Sequence, residues 1–307
     1  MRCNLIIIII VILTMILVGC NGERGRTPIL PEGGNDKGKL DIDFDPISEK
    51  LEKLTLEEKI GQLVIAGVDD VELDENTIKL IEQYHVGGFI LFKKNIMNVE
   101  QTVKLINSLK EANNINKIPL FLGLDEEGGR VSRLPDEIVK LPRAKDIGTV
   151  DNENFTYEIG HVLGENLSLL GFNMNFAPVL DIYSNPQNTV IGDRAFGTTP
   201  LIVSKHGLAF MNGLRDSHIV PVVKHFPGHG DTVLDSHMEL PTVNKTVEEL
   251  NSFELIPFKN AIDNGAEAIM IGHIQLSNID SVFPATLSKA VIDQLLRGKL
   301  GYKGVAI

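Results

Sequence analysis

Fourteen consecutive residues, Lys224 to His237 (KHFPGHGDTVLDSH), gather three histidines, two aspartates and a lysine. Asp235 stands two residues before His237, so a turn brings its carboxylate to the imidazole. Such a pair moves protons: the carboxylate fixes the tautomer and raises the proton affinity of the ring, giving a group that donates and accepts near neutral pH. Upstream, Ile219 to Val223 is a short apolar run that reads as a buried strand. Lys224 and His225 then stand where strand becomes loop, facing a site, and Pro227, Gly228 and Gly230 break the regular structure that follows. The residues alone leave three readings open: a solvated turn, a metal site drawing on His225, His229, Asp231 and His237, and a metal-free acid/base loop. The absence of a compact His-x-His-x-Asp-His cluster favours the third.

The elements that must hold this loop alternate along the chain. SEKLEKLTLEEKIGQL opens with a helical face of Leu51, Leu54, Leu56 and Ile60. Seven strand-like runs follow, at residues 63–68, 86–92, 119–124, 172–180, 219–223, 266–272 and 304–307. Helical patterns cover 99–113, 157–170, 202–217, 247–264 and 288–299. Apolar strands alternating with helices call for a parallel sheet, and the polar residues fall just after the strands. This predicts an α/β fold of the TIM (β/α)8 barrel type, incomplete at about seven strands, with Asp125, Asp181, Lys224 and His273 at the C-terminal strand ends where barrels place their sites. An open doubly wound sheet is the alternative, but no Gly-rich nucleotide fingerprint follows the first strand.

KHFPGHGDTVLDSH resembles the signature of family 3 glycoside hydrolases, in particular the bacterial β-N-acetylglucosaminidase (NagZ-type) branch, whose loop carries an Asp–His acid/base dyad. Two further segments resemble the family in the same order. Asp125 to Arg133 (DEEGGRVSR) is similar to its DxEGG-R-V-x-R segment, and Ile191 to Gly197 (IGDRAFG) to another. The resemblance implies that His237 and Asp235 are the acid/base dyad, that Asp125, Arg133 and Arg194 hold substrate, and that Lys224 and His225 donate to sugar hydroxyls. A carboxylate accepts two hydroxyls at once and an arginine fork adds directed donors, which suits sugars. An Asp–Arg ion pair that only pins the loop is the plainer reading of Asp125 and its arginines. Asp193 is expected to orient Arg194, and His229 and His273 to fix loops. Neither metal nor organic cofactor is implied.

Charge and targeting narrow the partners. A formal net charge of −12 over 307 residues argues against nucleic acid, which needs a basic surface. Met1-Arg2 precedes an apolar run ending in Leu17-Val18-Gly19-Cys20, a signal peptide with a lipobox, so residues 1–20 direct secretion and Cys20 becomes the lipidated N-terminus. A spanning helix is the alternative, for which the run is short. The second cysteine, Cys3, leaves with the signal peptide, so no disulfide forms in the mature chain. Residues 21–47, rich in Gly, Pro and Asp, read as a flexible tether, and 48–307 as the barrel domain.

A retaining glycosidase needs a nucleophile opposite its acid/base. By the resemblance this is an aspartate after the strand written here as Gly304 to Ile307, so the sequence is expected to be a fragment or a truncated form. The expected function is a membrane-tethered, secreted β-N-acetylhexosaminidase that removes terminal β-linked N-acetylglucosamine from cell-wall-derived or related glycans. A β-N-acetylglucosaminide phosphorylase and a catalytically inactive sugar-binding lipoprotein are the alternatives.

Overall fold

Seven parallel strands pair in the order in which the chain makes them. The structure, a computed structural model, describes residues 46–232 and 240–307. The expected signal peptide, the expected lipobox with Cys20, the expected tether up to residue 45 and the Asp235/His237 pair lie outside the described residues. Residues 47–307 form one compact unit.

The strands are β1 (Ile65–Gly67), β2 (Gly88–Leu91), β3 (Phe121–Leu124), β4 (Met174–Asn175), β5 (Val220–Phe226), β7 (Ala268–Ile271) and β9 (Val305–Ala306). They form a single sheet in that order, all parallel. An open doubly wound sheet reverses its strand order part-way; this one does not. Met174, Phe176, Val222 and Ala268 form a buried cluster with Ile65, Ile90, Val220 and Met270 packed against it, so residues of the first and later strands share one interior and the sheet is curled. The outward faces meet the helices. Leu122 and Leu124 join one larger core, and Val223, Ile269 and Ile271 join another. Burial on both faces explains why the strands read as unbroken apolar runs rather than alternating ones.

The helices are α1 (Pro46–Glu52), α2 (Leu56–Gly61), α3 (Glu75–Glu82), α4 (Val99–Ala112), α5 (Ala144–Val150), α6 (Glu153–Leu170), α7 (Pro200–Asp216), α8 (Val247–Ser252) and α9 (Leu255–Asp263), followed by a π-helix, Ala290–Lys299. Caps fix the long ones. Asn152 accepts from the Phe155 amide to start α6, and Gly171, at φ 96°, ends it in the left-handed region that favours glycine. Thr199 caps α7, with Pro200 in its first turn, where the missing N–H costs no helical bond.

Three expectations change. The opening helical segment is two helices, because Thr55 and Glu58 form a reciprocal capping box that starts α2. Of its expected apolar face only Leu54 is buried, while Leu51, Leu56 and Ile60 are exposed. The helix expected over 247–264 breaks at Phe253 and Glu254, which puts Pro257 in the first turn of α9 where proline is tolerated. The strand expected over 172–180 pairs regularly only at Met174–Asn175 and resumes as a single bridge from Val179 to Lys224. Pro178, between them, has no amide to give a ladder. A further parallel pair, β6 (Thr242–Val243) with β8 (Gln275–Leu276), lies outside the main sheet and was not expected. Among the described residues no helix is long and apolar enough to cross a membrane.

Candidate active site

Strand alternation aims the first two site residues. On β5, Val220 and Val222 pack against or within the inner cluster, so Lys224, two residues on, lies on the same face at the strand's C-terminal end. On β3, Leu122 and Leu124 face the helices, which leaves Gly123 and then Asp125 on the inner face. The pairing register shifts between Lys224 and Phe226, and this bulge lets His225 line the same cavity as its neighbour Lys224 instead of turning away.

The cavity above these strand ends has a volume of about 410 Å³. Its floor is an ion-pair network. The Lys224 ammonium is 2.7 Å from Asp125 Oδ1 and 2.6 Å from Glu127 Oε1. Arg194 grips the same Glu127 with two parallel bonds, Nε to Oε2 at 2.7 Å and Nη2 to Oε1 at 2.8 Å. Burial alone would raise the Glu127 pKa, but the Lys224 and Arg194 charges outweigh it and hold the carboxyl at about 2. Glu127 is thus the shared carboxylate that sets both cations.

A second carboxylate, Asp181, is wholly buried and organises the histidines. Its Oδ2 is 2.6 Å from His225 Nδ1, and its Oδ1 accepts from the His229 amide at 2.6 Å. Burial pushes Asp181 upward, yet His225 and the His229 contacts bring it below the ordinary carboxylate range. Burial also lowers the His225 pKa, more than Asp181 raises it, with Arg194 and Lys224 adding repulsion. The consistent protonation is a neutral His225 that donates from Nδ1 to an ionised Asp181. Its Nε2, 3.5 Å from Arg194 Nη2, is then an acceptor.

The structure brings five expected site residues, Asp125, Arg133, Arg194, Lys224 and His225, to one cavity. Asp125 pairs with Lys224, not with an arginine of its own loop. Asp193 does not orient Arg194: it pairs with Arg130 at 2.9 Å, and Glu127 does the orienting. Glu127 and Asp181 carry roles that the sequence reading did not assign. The available signal was their chemistry, the third of three consecutive carboxylates that begin at Asp125 and an aspartate after the fourth strand. His229 does fix its loop, with Nδ1 2.8 Å from Thr232 Oγ1, and His273 Nδ1 lies 2.7 Å from Thr286 Oγ1. The Asp235/His237 dyad lies outside the described residues. The chain just before and just after it is tied together, because Lys245 Nζ is 2.8 Å from Asp231 and 2.5 Å from the buried Glu254. Among the described residues no group of three or more His, Cys, Asp or Glu is arranged to hold a metal ion.

Residues 55–307 match the model of the glycosyl hydrolase family 3 N-terminal domain. The chain belongs to glycoside hydrolase family 3. Within this family it is 37% identical over 247 residues to Beta-hexosaminidase A of Pseudoalteromonas piscicida, a match covering 75% of this chain and 41% of that protein. The solved family 3 β-N-acetylglucosaminidase from Paenibacillus sp. str. FPU-7 superposes with a TM-score of 0.80 at 43% identity, over 82% of this chain and 48% of that one. NagZ from Neisseria gonorrhoeae, solved with N-trifluoroacetyl-D-glucosamine, superposes with a TM-score of 0.74 at 33% identity, over 79% of this chain and 72% of that one. This family 3 domain thus spans less than half the length of the first two relatives.

Proposed function

We propose that the protein is a β-N-acetylhexosaminidase that releases terminal β-linked N-acetylglucosamine from cell-wall-derived or related glycans. The observation that carries this reading is the cavity floor, where Asp125, Glu127, Arg194, Lys224 and His225 interlock at the strand ends beside the apolar side chains of Val131, Val190, Ile191 and Met270. Fixed acceptors and donors beside an apolar wall suit one hydroxyl-rich, uncharged ring bearing a small apolar substituent. The names of the relatives support the same substrate class.

In this reading Asp125 accepts hydrogen bonds from sugar hydroxyls, while Arg133, Arg194 and the third N–H of Lys224 donate. Glu127 and Asp181 are committed to ion pairs and amides, so neither is the attacking carboxylate of a retaining mechanism. Asp235 and His237 supply the proton: His237 protonates the leaving oxygen and then deprotonates the attacking water, with Asp235 holding its tautomer. Cys20 carries the lipid that holds the secreted protein to the membrane.

The test is hydrolysis by the full-length protein of an aryl β-N-acetylglucosaminide and of a chitobiose-type substrate with a poor leaving group. His237→Ala is expected to slow the second by roughly two to four orders of magnitude and the first by much less. Equal slowing of both would remove His237 as general acid. Formation of a sugar 1-phosphate when phosphate is added would move the assignment to a phosphorylase. Equal membrane retention of the wild type and Cys20→Ala would refute the lipid anchor.

A further inference from the structure

Arg130 reaches across to the backbone of a segment some sixty residues on. One of its nitrogens, Nη2, lies 3.0, 2.6 and 3.1 Å from the carbonyl oxygens of Thr189, Val190 and Ile191, three consecutive residues. Its Nε is 2.9 Å from Asp193 Oδ1. Arg143 Nη1 approaches the other Asp193 oxygen at 3.9 Å while its own fork holds Asp146. The carbonyls belong to the segment that leads into Arg194. Val190 and Ile191 line the cavity, the Arg194 amide donates to Ile191 O at 2.9 Å, and Arg194 Nη1 donates to Val190 O at 3.2 Å.

We propose that Arg130 is a positioning residue that sets Arg194 and the Val190–Ile191 wall through the backbone, with Asp193 aiming the Arg130 guanidinium. The two loops are then clasped twice. Inside the cavity, Glu127 of the first loop holds the Arg194 side chain. Three residues on, Arg130 of the same loop holds the carbonyls of Thr189, Val190 and Ile191, the backbone that leads into Arg194. The turn between them is fixed by Gly128 and Gly129, at φ 82° and 57°, and by the Glu127 amide donating to Val131 O. An exposed ion pair by itself contributes little. The two N–H groups of Nη2 are shared among three carbonyls, and the planar fork lets Nε reach Asp193 at the same time, so the guanidinium acts through geometry.

The inference rests on reading the cavity as a sugar site, so it has one readout that needs no sugar. Hydrogen exchange of the amides of residues 189–194 is expected to accelerate in Arg130→Met, while residues 220–226 exchange as in wild type. Unchanged exchange at 189–194 would overturn the proposal whatever the cavity binds. The second readout is steady-state hydrolysis of an aryl β-N-acetylglucosaminide by the full-length protein. KM is expected to rise about 10-fold in Arg130→Met, as loss of one charge-assisted contact to the ligand would produce, with kcat within about 2-fold and the melting temperature nearly unchanged. Arg130→Lys should recover only part of the KM, since an ammonium is a point donor. In an Arg194→Ala background Arg130→Met should add less than about 2-fold, because residues acting as one unit are not additive. Multiplicative effects would show that Arg130 does not act through Arg194. A wild type that neither binds nor cleaves the N-acetylglucosaminide would instead remove the sugar reading, and the exchange result would then decide the Arg130 proposal alone.

Discussion

The two ends of the curled sheet are built from different materials. At the C-terminal ends, side chains meet side chains: Asp125 and Glu127 interlock with Lys224 and Arg194 beneath a cavity, and Asp181 holds His225 beside them. At the N-terminal ends, backbone meets backbone. A Cβ on Gly61 would stand 1.9 Å from Tyr84 O, and one on Gly88 2.3 Å from Phe121 O. Asn173 bridges there too, accepting from the Leu122 amide at 2.7 Å and donating to Leu120 O at 2.9 Å. One end carries ion-paired side chains that a ligand can use; at the other, the backbone packs too closely at Gly61 and Gly88 for even a Cβ. Barrels commonly divide function and stability this way, and here the division rests on named contacts.

That contrast can be broken most severely at Lys224. Lys224→Met leaves Asp125 and Glu127 without their shared ammonium, and breaking a buried pair costs about 3–5 kcal/mol. We expect that loss in urea unfolding, together with at least a 100-fold loss of N-acetylglucosamine affinity by calorimetry. Unchanged affinity would show that the network is structural only. At the opposite end, Gly88→Ala forces a methyl group into the Phe121 carbonyl, and overpacking costs about 1–3 kcal/mol. Here the expected result is lost stability with sugar affinity kept, and a parallel loss of affinity would erase the distinction between the ends.

The smallest effect sharpens the comparison through pH. The Glu127 pKa is lowered from 4.5 to about 2 in the folded protein. A depressed carboxyl pKa stabilises the fold fully above the unfolded value and loses that contribution as pH falls through the folded one. Glu127→Gln should therefore be most destabilising, relative to wild type, above about pH 4.5, with the difference shrinking toward pH 2. A difference that stays constant across that window in acid-titrated urea melts would mean the ion pairs of Glu127 contribute nothing to folding.

The central strands were legible because both their faces are buried, so apolar runs such as 219–223 needed no alternation to stand out. Asp125, Lys224 and His225 followed from their place just after such runs. What stayed hidden depended on partners distant in sequence. Glu127 meets Arg194 across 67 positions, and Asp125 meets Lys224 across 99, separations that no local pattern encodes. Assigning Asp193 to Arg194 assumed that neighbours in sequence pair, whereas the turn carries Asp193 out to Arg130. The break before α2 was written in Thr55 and Glu58, a capping pair that the longer apolar spacing masked. The expected acid/base pair, Asp235 and His237, lies outside the described residues.

The balance of charge at the cavity has a consequence for solution behaviour. Arg133, Arg194 and Lys224 face three carboxylates, Asp125, Glu127 and Asp181, so this region is close to neutral within a chain of net charge −12. An uncharged ring docking there displaces water but no counterions, and screening by salt weakens mainly interactions between exposed charges separated by more than about 10 Å at 0.1 M. Affinity for such a ring is accordingly expected to change little with ionic strength, which calorimetry at low and high salt would check.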